Sequence, residues 1–384
     1  MSWNWQKPDW PEFSWNEALL RNAEERFLLE AGMFVGTVKH LSAADHEQLV
    51  VEAMSVEAVT TSEIEGETLD RASVQSSIRK QLGFAADNVR AKPAEQGIAE
   101  MMVDAYRSFS DSLSDEMLFA WHRMLTKGRR DLRYIGGYRE DAEPMQVVSG
   151  ALYSPRVHFE APPSSQTSKE MARFVNWFNR TRPSGRAPLP MLTRAGITHL
   201  YFESIHPFED GNGRIGRAIS EKALAQSLGQ PTLTVLAATI LTRRKAYYAA
   251  LKEANKKNEI TRWLLWFAGV AIEAQRRTEA TIEFLIDKTR LLDRLRGQLN
   301  ERQEKALLRM LREGPEGFKG GLSAGNYERI TGASPATTTR DLADMVAKGA
   351  LIRSGERRHA RYALSIRLRS VSPVTINDEG DILQ

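Results

Sequence analysis

A twelve-residue segment, HPFEDGNGRIGR at residues 206–217, is dense in groups that can do chemistry. His206 can act as a general base. Asp210 supplies the hard carboxylate oxygen that Mg²⁺ prefers. Arg214 and Arg217 are three residues apart, so on a helix both guanidinium groups face one region. These groups fit the transfer of a phosphorus-containing group to a hydroxyl, which needs charge stabilisation and the removal of one proton.

Two other nucleotide-binding motifs overlap this segment, and neither fits. Residues 211–216 match GxGxxG, but that fingerprint must follow a buried strand, whereas residues 204–210 are polar and interrupted by proline. The ribose-binding acid expected about twenty residues later is missing, because no Asp or Glu lies between Glu221 and Glu253. A P-loop is excluded as well, since Arg-Ala follows the last glycine where Lys-Ser or Lys-Thr is required.

The elements around the segment suggest how it is held. Apolar residues at helical spacing predict one helix over Leu192–Ile205 and a second from near Arg214 to Leu228. The loop between them contains Gly211 and Gly213. Its N–H groups and the N-terminal end of the second helix can point at a phosphate.

The rest of the chain predicts a mainly α fold with one β-hairpin. The hairpin is expected within Met145–Ala161, where β-branched residues and a glycine precede Pro-Pro. The four tryptophans of residues 3–15 are expected to dock the N-terminus in a small apolar nucleus. The helices predicted before residue 300 are Asn16–Lys39, several over residues 45–130 that include Glu116–Leu125, then Ser168–Asn179, Arg243–Ala254 and Thr261–Asp293.

Residues 206–217 resemble the full signature of the Fic family, HPFxDGNGRxGR, at every fixed position. The resemblance extends to residues 121–125 (WHRML), to residues 136–139 (GGYR) and to the hairpin. Residues 3–11 resemble the N-terminal extension of a bacterial Fic subgroup, so the resemblance covers about residues 1–290. It implies a Fic-type helical core with a β-hairpin flap.

The family's chemistry implies a role for each matching residue. His206 would be the general base that deprotonates a Ser, Thr or Tyr hydroxyl of a target protein, which then attacks the α-phosphate of ATP and takes AMP. Asp210 would hold Mg²⁺, Phe208 would anchor the loop, and the flap, about Met145–Tyr153, would clamp the target by strand addition. The nucleotide-binding residues would be Gly211, Asn212 and Gly213 for the α- and β-phosphates, Arg214 and Arg217 for the β- and γ-phosphates, and Tyr247 and Tyr248 for adenine.

Residues 61–66, TSEIEG, resemble the family's inhibitory helix, (S/T)xxxE(G/N). Thr61, Glu65 and Gly66 occupy its fixed positions, although an exposed helical glutamate before a glycine C-cap gives the same pattern. A carboxylate paired with Arg217 would fill the space of the γ-phosphate and remove its counter-charge. The resemblance therefore implies an enzyme that Glu65 autoinhibits.

The C-terminal part has the outline of a winged helix. Its predicted elements are helices at Glu304–Arg312, Asn326–Ile330 and from the N-cap Ser334 to Lys348, then a hairpin of Ala350–Arg353 and Ala360–Ala363. Residues 300–370 hold 14 Lys and Arg against 8 Asp and Glu, in a chain of net charge +4. Because of this surplus of positive charge, we expect residues 300–370 to contact an anionic partner. DNA binding and protein docking both stay open.

Length and composition complete the sequence prediction. The 384 residues contain no Cys, and neither a signal peptide nor a membrane-spanning apolar run is evident, so we expect a cytoplasmic protein with no membrane contact. The seven histidines form no zinc-binding spacing. We predict a helical extension over 1–100, a Fic catalytic core over 101–290 and a winged-helix (α+β) domain over 300–370, with a frayed end at 374–384.

The function predicted from these features is a protein adenylyltransferase that uses ATP and Mg²⁺ and is autoinhibited by Glu65 against Arg217. Its target would be a protein with an acceptor hydroxyl, the chain itself included. Two alternatives stay open: a DNA-binding regulator whose Fic core senses nucleotide, and a Fic enzyme that removes AMP or uses another nucleotide. Members of the family often form dimers, so a homodimer is open as well.

Overall fold

A computed structural model shows a mainly helical protein and describes residues 2–87, 89–149, 156–232, 234–314, 317–318 and 320–383. The helices are α1 (Glu17–Val38), α2 (Ala43–Ile64), α3 (Arg71–Leu82), α4 (Pro93–Arg107), α5 (Asp115–Leu125), α6 (Ser164–Arg180), α7 (Met191–Ile205), α8 (Asn212–Leu228), α9 (Leu236–Thr242), α10 (Arg244–Ala254), α11 (Thr261–Arg294), α12 (Glu301–Leu311), α13 (Ala324–Thr331) and α14 (Pro335–Ala347). Antiparallel pairs are formed by β1 (Gln146–Ser149) with β2 (Arg156–Glu160), β3 (Leu351–Ser354) with β4 (Arg361–Leu364), and β5 (Thr375–Ile376) with β6 (Ile382–Leu383).

The chain divides into two compact units. The first unit contains Met1–His40, Val50–Gln275 and Pro373–Gln384, and the second contains Leu41–Leu49 and Arg276–Ser372. Every residue that the sequence predicted for the active site belongs to the first unit. The mainly α fold with a hairpin, β1–β2, is confirmed, although residues 150–155 of the predicted hairpin lie outside the described residues.

The centre of the first unit is α7, in which every residue is buried. A helix that is buried on all sides must satisfy its charged groups internally. Arg194 does so by donating to the carbonyl oxygens of Phe178, at 3.0 Å, and Ala223, at 3.1 Å. Its guanidinium thereby ties α7 to α6 and α8, and α7 and α8 pack along each other.

The N-terminal tryptophans dock on this unit as the sequence predicted. Trp3 is 8% exposed, and its ring lies 5.3 Å from that of Phe159 in β2. Trp5 donates its indole N–H to the carbonyl of Glu160 at 2.7 Å. The N-terminal segment therefore packs against the base of the hairpin through apolar and hydrogen-bonded contacts.

The C-terminal end differs from the prediction of a frayed tail. Val374 is 1% exposed, and its N–H donates to the buried carboxylate of Glu273 at 3.0 Å. Its carbonyl accepts from Arg243 at 2.8 Å, and Arg243 also pairs with Glu273. The prediction was wrong because one apolar residue and a buried ion pair, distant in sequence, fix a segment that is otherwise polar.

Helix boundaries follow local chemistry more closely than periodicity. α6 begins at Ser164, directly after Pro163, and so starts four residues before its predicted position. α9 was missed because only seven residues form it. Glu57 of α2 supports its start by accepting the N–H of Ala237 on both carboxylate oxygens, at 2.8 and 2.9 Å. This contact joins α2 to α9 and was not visible in the sequence.

The second unit contains three helices, α12 to α14, and the hairpin β3–β4, to which Leu322 adds an isolated bridge with Tyr362. Asp341 of α14 accepts hydrogen bonds from Tyr327 at 2.9 Å, Arg302 at 3.0 Å and Asn300 at 3.3 Å. This one carboxylate thus joins all three helices. The elements occur where the sequence predicted them, and their identity as a winged helix stays a prediction.

Candidate active site

The loop between α7 and α8 is shaped by two residues with positive φ. His206 caps α7 with φ of 50°, a left-handed conformation that is costly for a residue with a Cβ. Gly211 precedes α8 with φ of 85°, where glycine pays no such cost. Between them the chain turns sharply, so that His206 and the first turn of α8 border the same space.

Buried aromatic contacts hold the loop in place. Phe208 is fully buried, and its ring stacks on His122 at 4.3 Å. His122 accepts the N–H of Gly136 at 3.0 Å, and its other ring nitrogen contacts the carbonyl of Asp210 at 3.2 Å. Burial lowers the pKa of His122 to about 4, so its ring is neutral at physiological pH. The anchoring role predicted for Phe208 agrees with this packing.

Asn212 makes two hydrogen bonds within the loop. Its amide oxygen accepts the N–H of Phe208 at 2.9 Å, and its amide nitrogen donates to the carbonyl of Phe208 at 2.8 Å. The side chain therefore braces the loop, and the role predicted for it at phosphate stays a prediction. α8 also begins two residues earlier than predicted, at Asn212, so the N–H groups of Asn212 and Gly213 belong to its first turn, which has no intrahelical partners.

A cleft of about 670 Å³ opens above the loop. It is bordered by the hairpin, by the end of α2 and by α10. Of the predicted site residues, it brings together Glu65, His206, Asp210, Gly211, Asn212, Gly213, Tyr247 and Tyr248. The sequence thus predicted much of one continuous wall, although the residues come from four separate elements.

Arg217 is 1% exposed and is held by the end of α2. Its Nε donates to the hydroxyl of Thr61 at 2.6 Å, and its Nη2 donates to the carbonyl of Thr61 at 2.9 Å and to Glu65 Oε1 at 2.7 Å. Burial opposes the charged form, but the nearby Glu65 carboxylate raises the pKa of Arg217 above its ordinary value. Gly66 follows with φ of 87°, as expected for a residue that ends a helix.

Arg214 is held by a carboxylate that the sequence did not single out. Its Nη1 donates to Glu67 at 2.7 Å, and its Nη2 lies 3.4 Å from Asp210. The turn after α2 therefore supplies one acid to each arginine of α8, Glu65 to Arg217 and Glu67 to Arg214. No local pattern marks Glu67, because the contact joins residues 147 apart.

Two buried donors of these arginines make no hydrogen bond with any residue that the structure describes. They are Nη1 of Arg217 and Nε of Arg214. A buried donor without a partner costs about 1–3 kcal/mol, more when it is charged, so such atoms mark a place where an acceptor binds. Both lie in the first turns of α8, beside its free N–H groups, which is the arrangement of an anion site.

Asp210 pairs with Arg129, which the sequence analysis had not named. The distance is 2.6 Å, and Asp210 also accepts the N–H of Gly211 at 2.6 Å. Burial acts to raise the pKa of Asp210, but Arg214 and Arg129 lower it below its ordinary value, so the group is a carboxylate. A carboxylate on the cleft wall suits Mg²⁺ that is shared with phosphates. Among the described residues, no group of three or more His, Asp or Glu could cage a metal by itself.

Tyr247 and Tyr248 differ in exposure and in hydrogen-bond partner. Tyr247 is 2% exposed, and its hydroxyl contacts His199 at 2.9 Å, so its polar end faces the interior. Tyr248 is 40% exposed and donates to the carbonyl of Ile64, the last residue of α2, at 3.2 Å. Both rings border the cleft, but Tyr248 has the larger surface for a ligand.

Comparison with known proteins agrees with this geometry. Residues 112–224 match the Fic/DOC family. This chain carries a Fic/DOC family domain. Residues 3–84, which include α2, match a domain of unknown function, DUF4172.

Two curated relatives are similar to part of this chain. A probable protein adenylyltransferase of Aquifex aeolicus (strain VF5) is 28% identical over 152 residues, 40% of each chain. The protein adenylyltransferase fic-1 of Caenorhabditis briggsae is 28% identical over 123 residues, 32% of this chain and 22% of that protein. The similarity thus spans less than half the length of either relative.

Solved structures share the fold. A Fic family protein from Desulfovibrio desulfuricans G20 has a TM-score of 0.51 at 22% identity, covering 89% of this chain and 95% of that one. A Fic domain containing signaling protein from Bacteroides thetaiotaomicron VPI-5482 has a TM-score of 0.50 at 17% identity, covering 68% and 95%. Across the described residues, we find no helix with the length and apolarity to cross a membrane.

Gly213→Ala tests the contact between α2 and α8 without reference to activity. A Cβ at residue 213 would lie 2.1 Å from Glu65 Oε1, so the carboxylate must leave Arg217. We expect a loss of about 1–3 kcal/mol in the free energy of unfolding, and a loss below about 1 kcal/mol when Glu65→Gly is already present.

Urea unfolding followed by tryptophan fluorescence measures this effect, because all eight tryptophans lie in the first unit. Gly32→Ala is the control, since a Cβ at this position in α1 meets no atom within 4 Å. Equal losses from Gly213→Ala in both backgrounds would show that Glu65 does not occupy this space.

Proposed function

We propose that the protein transfers AMP from ATP to a hydroxyl of a protein and that the turn after α2 inhibits this reaction. The observation that carries the proposal is the pair of buried arginine donors at the start of α8 that have no partner among the described residues, on the helix whose first residues, Asn212 and Gly213, line the cleft with His206. An anion site with its own base suits the transfer of a phosphorus-containing group. The adenylyltransferase names of the relatives support AMP as that group.

Each group of the proposed site has a role in the reaction. His206 removes the proton from the acceptor hydroxyl, and the oxygen forms a bond to the α-phosphorus of ATP. The bond from that phosphorus to the bridging oxygen of the β-phosphate breaks, and pyrophosphate leaves with the electron pair. The N–H groups of the first turn of α8 and the free donors of Arg214 and Arg217 stabilise the negative charge on the phosphates.

Mg²⁺ fits beside Asp210 and, when bound, would neutralise phosphate charge. Arg129 now pairs with that carboxylate. A cation that binds Asp210 would therefore replace the guanidinium of Arg129. When no metal is present, Arg214 and Arg129 keep the carboxyl group of Asp210 ionised.

The hairpin offers an edge for the target. β1 and β2 form a two-stranded sheet, and Val148 and Val157 pair with each other while 47% and 39% exposed. Met145, Val147 and Phe159 of the hairpin region border the cleft. An extended target segment that adds to one edge would bring its hydroxyl toward His206.

Inhibition follows from competition for the arginines. Arg217 keeps one donor for a γ-phosphate while Glu65 is bound, but a carboxylate at 2.7 Å cancels much of the charge that the phosphate needs. Glu67 has the same effect on Arg214. ATP then binds in a pose unsuited to attack at the α-phosphorus.

Glu65→Gly is expected to raise AMP transfer by about 5- to 150-fold over wild type, because a coupling of about 1–3 kcal/mol is lost. His206→Ala in the Glu65→Gly background removes the transfer. Intact-mass spectrometry after incubation with ATP and Mg²⁺ gives the result, read on the chain itself and on added protein. A different mass gain would indicate another nucleotide, and equal labelling of wild type and Glu65→Gly would reject the inhibition.

Glu67→Gln is expected to raise transfer by about two- to fivefold, since Glu67 is partly exposed and such pairs contribute up to about 1 kcal/mol. The matched control is Glu63→Gln, an exposed glutamate on the last turn of α2. Both variants are compared with wild type by initial rates of labelling. The role of Glu67 fails if the two substitutions have the same effect.

A second function, DNA binding by the second unit, is favoured by three exposed arginines. Arg340 on α14 and Arg353 and Arg357 on the hairpin make no ion pair with any described residue. In the same unit, Arg302 and Arg309 are paired with Asp341 and Glu313. Unpaired cations on a helix and an adjacent hairpin are suited to phosphates of duplex DNA.

Fluorescence anisotropy of a labelled duplex with the full chain tests this second function. Binding should weaken as salt rises, and Arg340→Gln should reduce the slope of log Kd against log salt by about one. Arg309→Gln, which removes a paired arginine, should leave the slope unchanged. Absence of binding at about 50 mM salt would reject DNA as the partner.

A further inference from the structure

A buried polar cluster lies behind His206. Glu203 is one turn earlier on α7, and its Oε2 is 3.6 Å from His206 Nδ1, with the two side chains 10% and 14% exposed. Beside it, His199 contacts the hydroxyl of Tyr247 at 2.9 Å. The chemistry proposed above uses none of these three neighbours.

Glu203 is ionised in this position. Burial acts to raise its pKa, but the interaction with His206 and the positive charge of Arg217 lower the pKa below its ordinary value. Burial lowers the pKa of His199, which makes His199 a neutral neighbour. Within the described residues, His206 is the partner at ion-pair distance from Glu203.

A buried carboxylate is costly unless its oxygens are used. Glu203 Oε1 has no hydrogen-bond partner in the described part of the chain. A glutamate at this position is therefore not explained by a contribution to the stability of the fold. The distance of 3.6 Å between its Oε2 and Nδ1 of His206 offers a functional reason.

Gly216 makes room for this carboxylate. A Cβ at residue 216 would lie 2.8 Å from Glu203 Oε1, 3.2 Å from Phe202 and 3.5 Å from His199 Nδ1. The backbone of α8 thus approaches α7 closely at the point where Glu203 is seated. This contact gives a physical reason for the last glycine of the segment HPFEDGNGRIGR.

We propose that Glu203 is a positioning residue for His206, an inference that rests on the proposed AMP transfer. Glu203 Oε2, at ion-pair distance from Nδ1, favours the tautomer of His206 that carries its proton on Nδ1, which leaves the lone pair of Nε2 for the acceptor hydroxyl. Once Nε2 has taken the hydroxyl proton, the carboxylate stabilises the imidazolium ring. The left-handed backbone of His206 places its ring within reach of a residue one turn earlier.

The first test is spectroscopic and needs no activity. ¹⁵N spectra of the histidine rings in the full chain, assigned with His206→Ala, report which nitrogen carries the proton. The wild-type ring is expected to carry it on Nδ1, and Glu203→Ala is expected to move at least half of the population to Nε2. A wild-type ring protonated on Nε2, or a population unchanged by Glu203→Ala, overturns the proposal.

The second test separates catalysis from binding, in the Glu65→Gly background. Glu203→Gln, which keeps the side-chain volume, is expected to lower the rate at saturating ATP by roughly 10–100-fold and to leave the Kd for ATP within about twofold. Glu170→Gln is the control, because Glu170 is also buried but bonds to Trp10 and Arg173. An unchanged rate, or a Kd that rises as the rate falls, overturns the positioning role.

The two tests also distinguish this inference from the proposed function. If Glu65→Gly transfers no AMP while the ring spectra behave as expected, the proposed reaction fails and the orientation of His206 by Glu203 stands. If Glu65→Gly is active and the ring spectra do not depend on Glu203, the reaction stands and the inference fails.

Discussion

Arg217 is a guanidinium buried to 1% exposure, and a charge in that position needs an anion beside it. Glu65 provides one at 2.7 Å, and Thr61 provides two further acceptors. One nitrogen, Nη1, is left without a partner among the described residues. Arg217 is therefore stable while it is bound to Glu65 and Thr61, and it still has a free donor for a second anion. Because both conditions hold, a carboxylate and a phosphate can compete for its charge.

The rest of the first unit supports that arrangement. α7 is buried on every side and fixes the direction of α8, which carries Arg214 and Arg217. α2 is held in turn by Glu57 at the start of α9 and by Tyr248, which donates to the carbonyl of Ile64. Because Tyr248 also borders the cleft, a nucleotide that displaces its hydroxyl would weaken the hold on α2. In the proposed function, inhibition and substrate binding would thus use the same side chains.

The sequence predicted the parts of the site that lie close together in the chain. The segment from His206 to Arg217 and its two flanking helices were found from spacing, and Glu65 was found from a short family pattern. Glu67, Arg129 and Glu203 were missed, because their partners are distant in sequence or because a glutamate at that position has no distinctive neighbours. The two contacts of the Asn212 amide with the backbone of Phe208 were not predicted, because sequence does not show which groups an amide reaches. Val374 was missed for the same reason, since its anchors, Glu273 and Arg243, lie about 100 and 130 residues away.

Calorimetric titration of ATP and of AMP tests the competition for Arg217 most directly. Proteins that carry His206→Ala, with and without Glu65→Gly, allow binding to be measured without turnover. AMP lacks the β- and γ-phosphates, so the ratio of the two affinities isolates their contribution. We expect Glu65→Gly to raise the preference for ATP over AMP roughly tenfold, about 1.4 kcal/mol. An unchanged preference would contradict the account, because Glu65 would then not compete with phosphate for Arg217.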